Sequence, residues 1–168
     1  ISFLPLAHIY ALVVELIVFN QGGRIGYARG PIKDFTDDIM TLRPTIIVAV
    51  PRVLNRVYDA MNKKIDEKPA FLQKIIRKCI DMKANAVWSN RPPSLLIDNL
   101  ILNLFRNALG GRLRLIVNGG APIMKDVFHF ISAAVTPNII QGYGLTETAA
   151  GVAVQQAPAI DPTSVGPC

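Results

Sequence analysis

Cysteine is scarce in this chain of 168 residues: Cys79 and Cys168 are the only two, too few for a disulfide framework. That usage fits a reducing compartment and an intracellular protein. Histidine is equally rare, with His8 and His129 alone, and no metal-ligand cluster accompanies His129 in the sequence. Residues 1–14 contain no acidic side chain, and no internal repeat or low-complexity tract occurs anywhere. Uninterrupted apolar runs are short. The longest candidate, residues 1–19, is broken by Pro5, His8 and Glu15, and it lacks a basic flank and a small-residue cleavage site. Those interruptions exclude a spanning helix and a signal peptide in favour of a buried strand entering a helix.

What is present is apolar and mildly basic. Hydrophobic residues make up 51%, a high share for a free-standing soluble domain, and the net charge is +6. The length suits one domain burying ~70% of its unfolded surface. Lysine and arginine concentrate in residues 52–91, but no nucleic-acid-binding module accompanies them, so no nucleic-acid partner is expected.

Periodicity outlines an α/β chain. Residues 2–10 read as a strand running into a helix over 11–19, and residues 24–28 as a short strand after a glycine turn. Residues 34–42 have helical spacing, with Phe35, Ile39 and Leu42 on one face and Asp34, Asp37 and Asp38 on the other. Residues 45–50 are an unbroken β-branched run, as in a parallel strand covered on both faces. A strand, helix and strand at this spacing predict a right-handed crossover. Pro51 suits the first turn of a helix reaching about residue 66. Two further helices are expected over 70–88 and 94–109, separated by residues 90–93. The first interleaves Lys74, Arg77, Lys78 and Lys83 with Phe71, Leu72, Ile75, Ile76 and Ile80. Such a face suits either an anionic membrane surface or a helix packed on the domain with its basic side in water, and the packed helix is the favoured reading. A strand over 113–117, a turn at Asn118-Gly119-Gly120-Ala121-Pro122 and a helix over 123–135 follow. The fold expected is a mostly parallel sheet flanked by helices.

The chemistry concentrates in Gln141-Gly142-Tyr143-Gly144-Leu145-Thr146-Glu147-Thr148, which leaves the apolar strand residues 138–140. Two glycines allow positive φ and close approach to a ligand. Tyr143 offers a flat ring for stacking, Thr146 and Thr148 offer hydroxyls, and Glu147 offers a hard oxygen ligand suited to magnesium. The same residues also suit a plain strand-to-helix turn capped by Thr146. A dinucleotide fold is excluded, because Gly142-x-Gly144 lacks the third glycine in register and no ribose-binding acid follows about twenty residues later.

The octet resembles the Tyr-Gly-x-Thr-Glu motif of the adenylate-forming, AMP-binding superfamily. Residues 1–10, Val50-Pro51-Arg52-Val53-Leu54-Asn55-Arg56, Gly119-Gly120-Ala121-Pro122 and Asp161-Pro162-Thr163-Ser164-Val165-Gly166 fit the same family in the same order. Together they cover nearly the whole chain and are most similar to long-chain fatty acyl-CoA synthetases. The resemblance implies that Tyr143 stacks on adenine, with Gly119, Gly120, Ala121 and Pro122 walling its pocket and Gln141, Gly142 and Gly144 bordering the nucleotide. It implies that Thr146 binds phosphate oxygens, Glu147 holds magnesium, and His8 lies beside the reacting carboxylate, with Tyr10 and Gly142 along the acyl pocket. ATP, magnesium, coenzyme A and a fatty acid follow as cofactor and substrates. The missing acid in residues 1–14 argues against an α-amino acid substrate, because amino-acid-activating relatives carry an aspartate there. On this resemblance residues 1–168 form the central part of an AMP-binding domain. A phosphate loop is expected before Ile1, and a small C-terminal domain with a catalytic lysine is expected beyond Cys168. Residues 1–168 by themselves are accordingly expected to form no acyl-adenylate. Peripheral association with the endoplasmic reticulum, mitochondrial outer membrane or peroxisome is the expectation for the whole protein. The competing reading is a nucleotide-binding interaction module without turnover.

Overall fold

The computed structural model describes residues 1–30, 34–89, 103–157 and 161–167. Before the sheet come α1 (Ile9–Asn20) and α2 (Phe35–Leu42). Then follow β1 (Ile46–Ala49), α3 (Pro51–Asp66), α4 (Ala70–Trp88), α5 (Asn103–Ala108), β2 (Leu115–Asn118), α6 (Lys125–Ala134), β3 (Ile139–Tyr143), a single 3₁₀ turn (Thr146–Thr148) and β4 (Ala153–Val154). β1, β2 and β3 pair in parallel in that order, and β4 adds antiparallel to β3. The architecture is a mostly parallel sheet flanked by helices, as the β-branched runs and helical spacings require.

Register places Ile47, Ile116 and Ile139 abreast, and one pleat further on Ala49, Asn118 and Gln141. Both rows share a face because side chains alternate along a strand. The isoleucine row enters one contiguous core with Val53, Leu54, Met61 and Ile65 of α3, Ile80 and Ala84 of α4, and Val127, Phe128 and Ile131 of α6. Edge-to-face aromatic pairs, Tyr58 with Phe130 at 5.1 Å and Phe105 with Phe130 at 5.9 Å, close its flank. Ile131 is fully buried in this cluster. Ile131→Val is expected to cost about 1 kcal/mol, the scale for removing one methylene from a packed core, and urea unfolding of the variant checks it.

The basic helix matches its expected bounds. α4 packs against α6 and α3, and Trp88 stacks edge-on against His129 at 5.2 Å, which gives that histidine a structural place. Lys83, expected on the solvated face, is buried. Lys74 and Lys78 remain outside with Phe71 and Ile75, around a shallow recess of about 390 Å³. Among the described residues no helix is long and apolar enough to cross a membrane.

Three expectations are corrected. The strands at 2–10 and 24–28 shrink to one parallel bridge between Ser2 and Tyr27. Pro5 has no N–H to give a ladder, and its carbonyl accepts the His8 N–H at 2.9 Å, so the chain turns there instead of extending. The crossover is also wider than expected. The Ile1 nitrogen donates to the Ile46 carbonyl at 3.2 Å, which sets the N-terminal residues between 24–28 and β1. In α2, Asp38 is buried while Leu42 is exposed. The Arg29 backbone N–H and guanidinium both bind the Asp38 carboxylate and hold its pKa below the usual range. Of the helix expected over 94–109, Asn103–Ala108 is seen, and residues 94–102 lie outside the described residues, as do residues 90–93 and Cys168.

Candidate active site

In an open parallel sheet, ligands bind beyond the carboxyl ends of the strands. Here that edge gathers the turn after β2, the turn after β3 and the start of α1, which are distant in sequence.

Residues 119–122 leave β2 and are held at two points. Asn118 donates from Nδ2 to the Ala121 carbonyl at 3.0 Å. The Ile123 N–H donates to Gln141 Oε1 at 3.0 Å. Asn118 and Gln141 are register partners on neighbouring strands, so the sheet itself sets the spacing of the two anchors. Gly120, Ala121 and Pro122 stand exposed between them. Gly119 is buried, and a Cβ there would meet the Tyr10 ring at 2.9–3.2 Å. Only glycine lets that ring lie on the strand end.

Tyr10 ties α1 to this loop. Its hydroxyl donates to the Val117 carbonyl at 3.0 Å, and burial pushes its pKa well above that of an ordinary phenol, so it stays a donor. His8 caps α1: its Nδ1 accepts the Tyr10 N–H at 3.3 Å. A neutral imidazole that accepts at Nδ1 carries its proton on Nε2. His8 is exposed two residues before Tyr10, and in that tautomer its Nε2–H is a donor suited to a carboxylate or acyl oxygen.

The octet splits into strand and turn. Gln141 is 3% exposed, and its side-chain amide bonds inside the protein, to the Ile123 N–H and the Pro162 carbonyl, so it faces inward and not toward the open edge. Tyr143 ends β3 at 48% exposure with its ring free of any neighbouring aromatic among the described residues. Thr146, Glu147 and Thr148 are exposed on the 3₁₀ turn. The cap belongs to Thr148, not Thr146: its Oγ1 accepts the Leu145 N–H at 2.8 Å and donates to the Leu145 carbonyl at 3.0 Å. Thr146 keeps its hydroxyl for a ligand. Positive φ, expected at Gly142 and Gly144, falls instead on Ala149 (φ 53°) and Ala150 (φ 79°). Each is a strained placement for alanine of about 1–3 kcal/mol, the kind of strain that collects at functional turns. Gly144 is required for space, since a Cβ there would lie 1.6 Å from the Ala150 carbonyl oxygen.

Among the described residues no three His, Cys, Asp or Glu side chains gather as a metal site. Glu147 takes part in no ion pair among them. A single free carboxylate suits magnesium, which keeps several waters and takes its remaining ligands from substrate phosphates.

Under α1 lies a cavity of about 640 Å³, within the range of small-molecule pockets. Its apolar wall includes Phe3, Leu4, Val14, Val18, Ile46 and Val48, and Glu15 enters it with one oxygen bound by the Tyr27 hydroxyl at 2.9 Å. The residues that sequence reasoning missed are Asn118 and Gln155. Their only signal was a polar side chain on the buried face of a strand, Gln155 lying two residues past buried Ala153.

Known proteins resemble this chain in sequence and in fold. Long chain acyl-CoA synthetase 4 of Arabidopsis thaliana is 39% identical over 160 residues, covering 92% of this chain and 24% of that protein. Long-chain-fatty-acid–CoA ligase 6 of Mus musculus is 38% identical over 156 residues, covering 90% and 22%. The chain thus spans about a quarter of the length of the relatives it matches. The crystal structure of the ATP-bound RpMatB-BxBclM chimera B1 matches 99% of this chain and 25% of its own, at a TM-score of 0.57 and 19% identity, a likeness of fold. The profile described as AMP-binding enzyme matches residues 1–168 from end to end, and the chain belongs to the AMP-binding enzyme family.

Proposed function

We propose that the full-length protein is a long-chain fatty acid–CoA ligase. A fatty acid carboxylate oxygen attacks the α-phosphorus of ATP and pyrophosphate leaves, giving acyl-adenylate. Coenzyme A then attacks the acyl carbonyl through its thiol, AMP leaves, and the thiol proton goes to solvent. The observation that carries this reading is the docking of Tyr10 on Gly119 and on the Val117 carbonyl. It joins the segment assigned to the acid with the loop assigned to the nucleotide, across more than a hundred residues of sequence.

Each residue then has a task. Tyr143 stacks on adenine, against a wall formed by Gly119, Gly120, Ala121 and Pro122. Gly142 and Gly144 keep the backbone beside the nucleotide free of side chains. Thr146 donates to phosphate oxygens, and His8 orients the acid from Nε2. Tyr10 and Gly142 border the acyl group. Glu147 would hold a magnesium ion, which when bound neutralises charge on the triphosphate. The carboxylate is already a nucleophile, so the protein's contribution is positioning and charge stabilisation. Peripheral membrane association belongs to this proposal too, through the outward side of α4 with Phe71, Lys74, Ile75 and Lys78.

The test is pyrophosphate release by the full-length protein, with ATP, magnesium and a panel of acids. Long-chain fatty acids are expected to turn over fastest. Faster release with an α-amino acid or an aryl acid would overturn the substrate class.

A further inference from the structure

Gln141 and Gln155 form a buried bracket. Gln155 Oε1 accepts the Gln141 backbone N–H at 2.7 Å. Gln155 Nε2 donates to the Asp161 carbonyl at 2.6 Å and the Ser164 carbonyl at 3.0 Å. Gln141 Nε2 donates to the Pro162 carbonyl at 2.8 Å, while Gln141 Oε1 holds the Ile123 N–H. Gln155 is 7% exposed, so both amides are shielded from water and neither can exchange a partner without leaving a buried group unpaired. Far from water such bonds also polarise one another, which stiffens the whole set.

The connectivity is specific. One end of the bracket is the segment 161–164, made rigid by Asp161 Oδ1, which accepts from the Thr163 N–H at 2.8 Å and the Thr163 hydroxyl at 2.6 Å. The other end is Ile123, directly after Ala121 and Pro122. Between them runs β3, on which Gln141 stands two residues before Tyr143. Both sides of the proposed adenine slot, the 121–122 wall and the Tyr143 ring, are therefore referenced to one buried pair of amides. On the fatty-acid side only Gly142, the residue after Gln141, adjoins this pair. Tyr10 and His8 reach the site through Val117 and Gly119, with no bond to either glutamine.

We propose that Gln155 is a positioning residue for the adenine slot, acting through Gln141, and that the segment 161–164 is the outer brace of that slot. This rests on the nucleotide reading above. Gln155 sets the separation of Ala121-Pro122 from Tyr143 without touching the nucleotide.

The experiment uses the full-length protein and two variants. Gln155→Leu removes all three side-chain bonds. Gln155→Glu keeps an acceptor for the Gln141 N–H, but it buries a charge and turns an oxygen toward the Asp161 and Ser164 carbonyls. AMP binding is measured by calorimetry, Michaelis constants are measured separately for ATP and palmitate, and melting is followed alongside. In Gln155→Leu the AMP dissociation constant and the ATP KM are expected to rise about tenfold, the scale of one lost buried hydrogen bond, with palmitate KM within about twofold of the parent. Gln155→Glu is expected to weaken AMP binding at least as much, with a larger fall in melting temperature. AMP binding as tight as the parent's in both folded variants would overturn the role. So would ATP and palmitate constants rising in step. A parent that binds no adenine nucleotide would overturn this inference and the nucleotide reading together. Weakened AMP binding in variants of an enzyme that activates some other acid would support the positioning role and overturn only the fatty-acid assignment.

Discussion

Replacing Glu147 by glutamine is expected to lower adenylate formation by about 10²–10³-fold, the scale of one lost preorganised charge contact at a reacting centre. Glutamine keeps the size and one carbonyl oxygen, and it removes only the negative charge. Glu147 is exposed and outside every ion pair among the described residues, so the folded state loses nothing and the melting temperature should not move. AMP affinity should hardly change either, because stacking and the 119–122 wall do not involve the carboxylate. The loss should shrink at high magnesium, since a weaker site can be refilled by mass action. Pyrophosphate release measured against magnesium concentration, beside AMP calorimetry, decides it. Near-normal rates for the variant at ordinary magnesium would remove Glu147 from the metal site.

Gly144→Ala should cost as much in rate while leaving most of the protein folded. The alanine Cβ would sit 1.6 Å from the Ala150 carbonyl oxygen, 2.3 Å from the Ala150 carbonyl carbon and 2.9 Å from the Gly151 nitrogen, all backbone atoms that cannot rotate away. The two limbs of the turn are clasped there. Val152 N–H donates to the Tyr143 carbonyl at 2.8 Å and Ala150 N–H to the Leu145 carbonyl at 3.1 Å. A methyl group must spread them, and Tyr143 and Glu147 ride on the limb that moves. A displacement near 1 Å at such a site costs about 10²-fold in rate. The turn lies at the sheet edge, outside the core of Phe128, Ile131 and Ile139, so melting should fall only modestly. Rate and melting measured on the same preparation separate the two. A fully active variant would show that the turn tolerates spreading and that its geometry does not set the rate.

Much of this protein was legible in its residues. The β-branched run ahead of Pro51 fixed β1 and the start of α3, because an unbroken apolar strand and a proline at a first helical turn each have one comfortable setting. The spacing of apolar residues over 70–88 fixed α4 to the residue. The octet and the Gly119–Pro122 turn pointed to a candidate site at the carboxyl edge, since each follows an apolar strand run in the sequence.

Tertiary structure decided what depends on partners far away in sequence. Nothing local to Tyr10 says that its ring will lie on Gly119 or that its hydroxyl will find Val117. Pairing the N-terminal residues with 24–28 on one side and Ile46 on the other is a non-local choice, and local spacing suggested a simpler crossover. The octet's own reading changed for the same reason. Gln141 was drawn inward by Ile123 and Pro162, Thr148 took the cap that the plain-turn reading gave to Thr146, and positive φ fell on Ala149 and Ala150 in place of two glycines. Residue types state which interactions are available. Which donor meets which acceptor is settled only when the sheet brings its strand ends together, because a buried polar group must take the partner that the fold leaves within reach.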